Sequence, residues 1–174
     1  MSDHYRTWIR DIPDFPKQGI LFRDITPLLK NGAVYRDAIQ TLAAKAQAWE
    51  PELVVGPEAR GYVVGAPLAV TLGLGFVPVR KPGKLPYKTV SVEYALEYGT
   101  DRLEIHEDAI QPGQRVLLAD DLLATGGTMR ATKDLVEKLG GVVVGAAFLI
   151  ELKPLGGRDR LGDIPVYTLV QFDN

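Results

Sequence analysis

The stretch over residues 116–128, VLLADDLLATGGT, constrains the fold of this chain more than any other segment. An apolar run leads into two adjacent carboxylates, Asp120 and Asp121, and a loop with two glycines precedes a helical pattern. Carboxylates at the end of a strand can accept hydrogen bonds from a sugar diol. Backbone N–H groups of a glycine-rich loop can surround a phosphate at a helix N-terminus. The stretch therefore predicts a strand, a tight loop and a helix that bind a sugar phosphate.

Along most of the chain, apolar strand-like runs alternate with segments that have helical spacing of apolar residues. This pattern predicts helices over residues 31–49, 62–72 and 128–139, and strands over residues 53–55, 76–79, 115–119, 142–152 and 166–170. Such alternation is typical of a mainly parallel sheet covered by helices on both faces. Residues 89–105 lack one clean apolar face and predict a hairpin or mobile arm. Because ligands bind beyond the carboxyl ends of parallel strands, we expect the chemistry there.

Composition restricts the class of protein. The 174 residues fit one domain over 1–174, and the net charge of −2 argues against nucleic-acid and membrane-surface partners. The chain has no cysteine, and its first residues carry charges where a signal peptide would be apolar. We therefore expect a cytoplasmic protein. Residues 61–79 contain no charge, but their prolines and glycines favour a buried helix and strand over a membrane span.

The loop Ala124-Thr125-Gly126-Gly127-Thr128 has the composition of a phosphate-binding loop. Its glycines permit close backbone approach to an anion, and we expect one of its threonines to cap the helix. An ordinary capped turn would explain the loop alone, but not the two carboxylates before it. No lysine follows the glycines, so the loop differs from that of nucleoside-triphosphate-binding P-loops.

Charged residues follow two other predicted strands. Glu58 and Arg60 follow the strand over 53–55, and the cluster of Arg80, Lys81 and Lys84 follows the strand over 76–79. An arginine fork suits phosphate oxygens, so the cations together indicate a polyanion. A surface ion pair and a solvated turn remain the alternative interpretations. Likewise, an arm carrying Glu97 and Tyr98 fits either a lid or an exposed hairpin, and Phe22 fits either an apolar slot or the core.

Several segments together resemble one known family. VLLADDLLATGGTMRA is similar to the phosphoribosyltransferase motif that binds 5-phosphoribosyl 1-diphosphate (PRPP). Five further segments narrow the resemblance to adenine phosphoribosyltransferases, over roughly residues 12–170. They are FPKQGILFRDITPLL, GPEARGY, RKPGKLP, LEYG and ELKPLGGR. The resemblance implies the type I phosphoribosyltransferase fold. That fold is an α/β architecture in which helices flank a mainly parallel twisted sheet, with a flexible hairpin lid and a small N-terminal hood.

The resemblance also implies a role for each matching residue. Asp120 and Asp121 would hold the ribose hydroxyls, and Ala124, Thr125, Gly126, Gly127 and Thr128 would bind the 5′-phosphate. The diphosphate would meet Glu58, Ala59, Arg60, Lys81 and Lys84, in a loop that often contains a non-proline cis bond. The adenine pocket would be lined by Leu21, Phe22, Arg23 and Leu155. Catalytic roles would fall to Arg60 and Glu97, with Glu97 and Tyr98 on the closing lid.

The implied reaction converts adenine and PRPP to AMP and diphosphate. The resemblance implies Mg²⁺ as cofactor, held mainly by the substrate and in part by Asp120 and Asp121. It also implies a homodimer.

Two other functions compete with this interpretation. Enzymes of the resembled superfamily that bind oxo-purines usually have a lysine near the pocket and an acid after the second residue of the motif's loop, where this chain has Leu122 and Leu123 and no acid. A purine-sensing regulator would need a nucleic-acid-binding segment, and the sequence carries neither room for a helix-turn-helix nor a basic stripe.

Overall fold

The computed structural model describes residues 3–96 and 98–174. The helices are α1 (Asp3–Arg6), α2 (Thr26–Lys30), α3 (Gly32–Ala46), α4 (Gly61–Leu72) and α5 (Gly127–Lys138). The strands are β1 (Arg10–Pro13), β2 (Leu21–Asp24), β3 (Leu53–Pro57), β4 (Gly75–Val79), β5 (Thr89–Ala95), β6 (Thr100–His106), β7 (Arg115–Leu123), β8 (Val142–Leu152) and β9 (Val166–Phe172).

A central sheet of five parallel strands organises the chain, in the order β4-β3-β7-β8-β9. Strand β7, which carries the carboxylate pair, lies in the middle. Alternate side chains of the central strands enter two apolar cores on opposite faces. One core joins the sheet to α3 and α4, and the other joins it to α5 and to the β5–β6 hairpin. The predicted α/β class with a parallel sheet is confirmed.

The central strand β7 is longer than predicted. The strand expected to end at Ala119 continues to Leu123, because Leu122 and Leu123 keep parallel pairing with β8. Asp120 and Asp121 therefore lie within the strand and not after it. The uncharged run over residues 61–79 forms α4 and β4, as expected. Within the described residues, no helix has both the length and the apolar character needed to cross a bilayer.

Two small antiparallel sheets lie beside the central one. Strands β1 and β2 form the N-terminal hood, a region whose prolines hid its four-residue strands from sequence analysis. Strands β5 and β6 form the predicted hairpin, and a bridge from Arg80 to Glu104 ties it to the end of β4. The hairpin therefore starts at the same sheet edge as the predicted site. That residues 1–174 form a single domain stays a prediction.

Candidate active site

The carboxylates of Asp120 and Asp121 meet different partners at the end of β7. Asp121 is buried and accepts a bond of 2.7 Å from the Arg60 Nε. Asp120 faces the start of α4, where a Cβ on Gly61 would lie only 2.9 Å from the Asp120 Oδ1. The Asp121 backbone N–H donates to that same Oδ1 at 2.8 Å. Adjacent residues on a strand point to opposite sides, so each carboxylate receives its own partner.

Burial raises the pKa of Asp120 well above its ordinary value, and repulsion from the Asp121 carboxylate adds to this rise. The Arg60 guanidinium opposes the shift more weakly, because it pairs directly with Asp121. The site thus holds more negative charge than its own cations balance. A diol, which donates two hydrogen bonds, or a cation would relieve this repulsion.

The predicted phosphate loop leads into α5 without a side-chain cap. The N-cap residue is Gly126, in a left-handed conformation with φ of 80°, so the cap position supplies no side chain to the first N–H groups of the helix. The expected threonine cap is therefore wrong, because Gly126 takes the cap position and Thr128 lies inside the helix. Exposed N–H groups at a helix N-terminus attract anions through hydrogen bonding and the helix dipole.

Arg60 joins three parts of the site. It precedes α4, its Nε bonds Asp121, and its guanidinium carbon lies 5.4 Å from the centroid of the Phe22 ring. The peptide bond between Glu58 and Ala59 is cis, as the resemblance implied. Arg60 thus contacts both the carboxylate pair and an aromatic ring of the hood.

The neighbouring basic residues are already paired with carboxylates. Glu58 accepts bonds from the Arg80 Nε at 3.2 Å and from the Lys81 backbone N–H at 2.8 Å. The Lys81 Nζ donates to Asp101 on β6 at 2.8 Å, which raises the pKa of Lys81 and lowers that of Asp101. Lys84 is exposed and lies outside the lining of the cavity. Sequence analysis missed Asp101, since its place opposite Lys81 depends on the hairpin register.

A cavity of about 440 Å³ brings most of the predicted residues together. Its lining comprises the Glu58-Ala59-Arg60 loop, Lys81, and the continuous segment from Asp120 to Met129. The carboxylates, the uncapped helix start and two cations therefore share one open space. Such a space suits a ligand that has a phosphate at one end and hydroxyl groups in the middle.

The predicted base-binding residues lie outside the lining of this cavity. Leu21 and Leu155 expose 40% and 49% of their surface, and Phe22 packs edge-on against Phe15 at 5.2 Å. The Arg23 side chain is buried, and it points away from Phe22 to bond Asp11 and the C-terminal Asn174. Alternation along β2 explains this difference, so only the backbone of Arg23 is left for a base.

The structure describes one of the two predicted lid residues. Tyr98 lies at the tip of the hairpin, and 84% of its surface is exposed. Glu97 lies outside the described residues, so its predicted role stays a prediction.

The predicted Mg²⁺ can be compared with the donors that the structure offers. No group of three or more metal-ligating side chains converges anywhere within residues 3–96 and 98–174. Of the three carboxylates that line the cavity, Glu58 is bonded to Arg80 and to the Lys81 backbone, which leaves Asp120 and Asp121 as candidate donors. Mg²⁺ is commonly held by one or two carboxylates together with substrate phosphates and waters. The donor set fits a Mg²⁺ ion that arrives with a phosphorylated substrate.

Comparison with known proteins agrees with this geometry. A sequence model of the phosphoribosyl transferase domain matches residues 24–169. The adenine phosphoribosyltransferase of Brevibacillus brevis is 60% identical over 168 residues, covering 97% of this chain and 99% of that protein. The chain belongs to the adenine phosphoribosyltransferase family. The family resemblance and the type I fold expected from the sequence are thereby confirmed.

Solved structures of other family members have the same fold. The enzyme from Thermoanaerobacter pseudethanolicus has a TM-score of 0.96 at 53% identity, covering 99% of this chain and 100% of that one. The enzyme from Saccharomyces cerevisiae was solved with an imino-altritol bisphosphate and adenine. It has a TM-score of 0.90 at 39% identity, covering 97% and 98% of the two chains.

Replacing Asp120 with Asn tests the charge excess at the end of β7. The raised pKa means that folding favours protonated Asp120. Its stabilising contribution is present at low pH and is lost as pH rises through the folded-state pKa. At pH 7 we expect Asp120→Asn to stabilise the ligand-free protein, by on the order of 1 kcal/mol. The gain in Tm over the wild type should shrink as pH falls towards 4.

The exposed Asp163 provides the matched control, and Asp163→Asn should leave Tm unchanged at every pH. A lower Tm for Asp120→Asn at pH 7 would contradict the charge excess.

Proposed function

We propose that this protein transfers the 5-phosphoribosyl group of PRPP to adenine, giving AMP and diphosphate. One observation carries the proposal: a carboxylate pair, an uncapped helix start, and Arg60 and Lys81 line the same cavity. The adenine bound to the 39% identical yeast enzyme supports adenine as the acceptor. The curated relatives, which are named adenine phosphoribosyltransferases, support the same reaction.

Each part of PRPP has a chemically suitable partner in the cavity. The 5′-phosphate would accept bonds from N–H groups of Ala124, Thr125, Gly126, Gly127 and Thr128, where no side chain competes for them. The ribose hydroxyls would donate to Asp120 and Asp121. Binding then relieves the repulsion between the two carboxylates, because each gains a hydrogen-bond donor.

The diphosphate would bind among Arg60, Lys81, Lys84 and the backbone of Glu58 and Ala59. Arg60 and Lys81 form ion pairs with Asp121 and Asp101. Substrate binding would therefore exchange or share these ion pairs. Lys81 and Asp101 are both partly exposed, so little desolvation opposes exchange of that pair. Asp121 is buried, so the ribose hydroxyls would have to donate to it if Arg60 turns to the diphosphate.

Adenine would lie between Phe22 and Leu155, near Leu21 and the backbone of Arg23. Phe22 already contacts Arg60, so the base side and the diphosphate side adjoin. Leu122 and Leu123 pack into the cores on either face of the sheet, and neither presents an acid to an oxo-purine. These contacts favour adenine over hypoxanthine and guanine.

During transfer the C1′–O bond to diphosphate breaks and a bond from adenine N9 to C1′ forms. Positive charge develops on the ribose ring and negative charge on the leaving oxygen, which Arg60 and Lys81 would stabilise. The N9 proton would pass to a base, and Glu97 is the proposed acceptor. Mg²⁺, held in part by Asp120 and Asp121, supplies when bound further positive charge against the diphosphate. The hairpin with Glu97 and Tyr98 would exclude water.

We also propose a cytoplasmic homodimer. The helix α4 has no charged residue, and its Val63, Ala66, Pro67 and Val70 are not buried, which supports a partner on that helix. Sedimentation equilibrium should give twice the monomer mass, and cell fractionation should recover the activity in the cytoplasmic fraction. A monomer mass at micromolar concentration would contradict the dimer.

Diphosphate release with a panel of bases tests the reaction and its specificity. With PRPP and Mg²⁺, adenine should give a rate at least about 100-fold above hypoxanthine, guanine or no base. Faster release with an oxo-purine would leave the PRPP site intact and contradict the adenine pocket. PRPP binding without release for any base would favour a sensing function.

Replacing Glu97 with Gln tests proton acceptance from N9. A positioned general base typically contributes 10²–10⁴-fold, so kcat should fall at least about tenfold with little change in the KM for PRPP. Glu93→Gln is the control, because Glu93 lies on the same hairpin with a mostly exposed side chain. A kcat for Glu97→Gln within about twofold of the wild type would exclude Glu97 as the base.

A further inference from the structure

Glu151 is a buried carboxylate that the proposed reaction does not use. It lies at the end of β8 with 5% of its surface exposed. Its two oxygens accept bonds from the Arg158 Nε at 3.0 Å and Nη2 at 2.6 Å, and further bonds from Thr168 and Gln171, each at 2.9 Å. These bonds lower the pKa of Glu151 despite its burial. A charge this thoroughly paired holds its partners in one geometry.

The Glu151–Arg158 pair closes a short loop over one end of the sheet. We call residues 153–161 the strap; it consists of two 3-10 helices, Lys153–Leu155 and Gly157–Leu161. Arg158 is further fixed by a bond of 2.9 Å from its Nη1 to the Val166 carbonyl oxygen, and Leu161 is fully buried. The strap is therefore fixed at Arg158 and at its end.

The strap supports the phosphate loop directly through backbone contact. A Cβ on Gly157 would lie 2.3 Å from the Ala124 carbonyl oxygen and 3.0 Å from the Gly126 nitrogen. A Cβ on Gly126 would in turn lie 2.5 Å from the Gly157 carbonyl oxygen. No side chain separates the two backbones, so a displacement of the strap would be transmitted to the loop. Leu155, two residues before Gly157, is the residue predicted to cover the base.

We propose that Glu151 and Arg158 are positioning residues that couple the phosphate and base subsites by fixing the strap. The inference rests on the proposed function, because it assigns Leu155 to adenine and residues 124–128 to the 5′-phosphate. Neither positioning residue lines the cavity described above. Their effect on the reaction passes through Gly157 on one side and Leu155 on the other.

Glu151→Gln is the decisive variant, because it keeps the shape of the side chain and removes the charge. We expect the KM values for PRPP and for adenine both to rise at least about fivefold, while kcat changes less. Arg158→Lys keeps the charge but loses the planar fork, so it should change both KM values in the same direction. Because the Arg158 side chain is 41% exposed, this variant tests the proposal even where Glu151→Gln fails to fold.

The strap offers its own control in a second ion pair. Lys153 bonds Asp173 at 2.8 Å, and both side chains are largely exposed. Asp173→Asn breaks that pair without touching Arg158, and both KM values should stay within about twofold of the wild type. The control therefore separates loss of any ion pair to the strap from loss of the Glu151–Arg158 pair.

Several results would overturn the inference. A lower Tm with unchanged KM values for Glu151→Gln and Arg158→Lys would make the pair structural only. An effect on adenine alone would remove the coupling to the phosphate loop. An inactive wild-type enzyme would refute the proposed function itself, whereas an active wild type with unchanged variants refutes only the positioning role.

Discussion

The repulsion between two adjacent carboxylates, Asp120 and Asp121, is the constraint on which the rest of the site depends. They lie on the central strand of a parallel sheet, where burial disfavours negative charge. The fold accommodates them by bringing Arg60 to one and by leaving a side-chain-free glycine, Gly61, against the other. Arg60 and Gly61 are consecutive residues at the start of α4. One helix start thus serves both carboxylates.

The cavity keeps its cations in place through ion pairs that a polyanion can replace. Arg60 is held by Asp121 and Lys81 by Asp101, and each cation keeps about half of its side chain exposed. The Lys81–Asp101 pair is partly exposed, so it contributes little to stability and a ligand can replace it. Arg60 instead neutralises the buried carboxylate of Asp121, which needs another donor if Arg60 turns to a ligand. The Lys81–Asp101 pair also connects the loop after β4 to the hairpin. Under the proposed function, a diphosphate bound beside Lys81 would therefore affect the placement of the hairpin.

Glycine contacts, and not side chains, set the position of the phosphate loop. Gly126 and Gly157 approach so closely that either Cβ would collide with the opposing backbone. This arrangement leaves the N–H groups at the start of α5 without side-chain partners. It also makes the loop depend on the strap, which Glu151 fastens from beneath. Two buried acidic sites differ in this structure: Asp120 and Asp121 repel each other at the cavity, whereas Glu151 is bonded by Arg158, Thr168 and Gln171.

Local sequence was sufficient for most of the fold and for the centre of the site. The spacing of apolar residues and the positions of glycine and proline predict the parallel sheet, α3, α4, α5 and the hairpin, because long apolar segments carry a strong periodic signal. These patterns do not reveal the hood strands, which are short and rich in proline. They also place the end of β7 too early, because the charged residues Asp120 and Asp121 interrupt the apolar run while the strand continues. The motif around Asp120 was visible because its residues are contiguous.

The sequence by itself determined which chemical groups the chain carries and in what order along each strand, loop and helix. Only the tertiary structure decided which of them meet. The pairing of Lys81 with Asp101, the direction of the Arg23 side chain away from Phe22, and the contact of Gly157 with Ala124 all join residues distant in sequence or depend on strand register. Register and packing are properties of the whole sheet, so no local pattern encodes them.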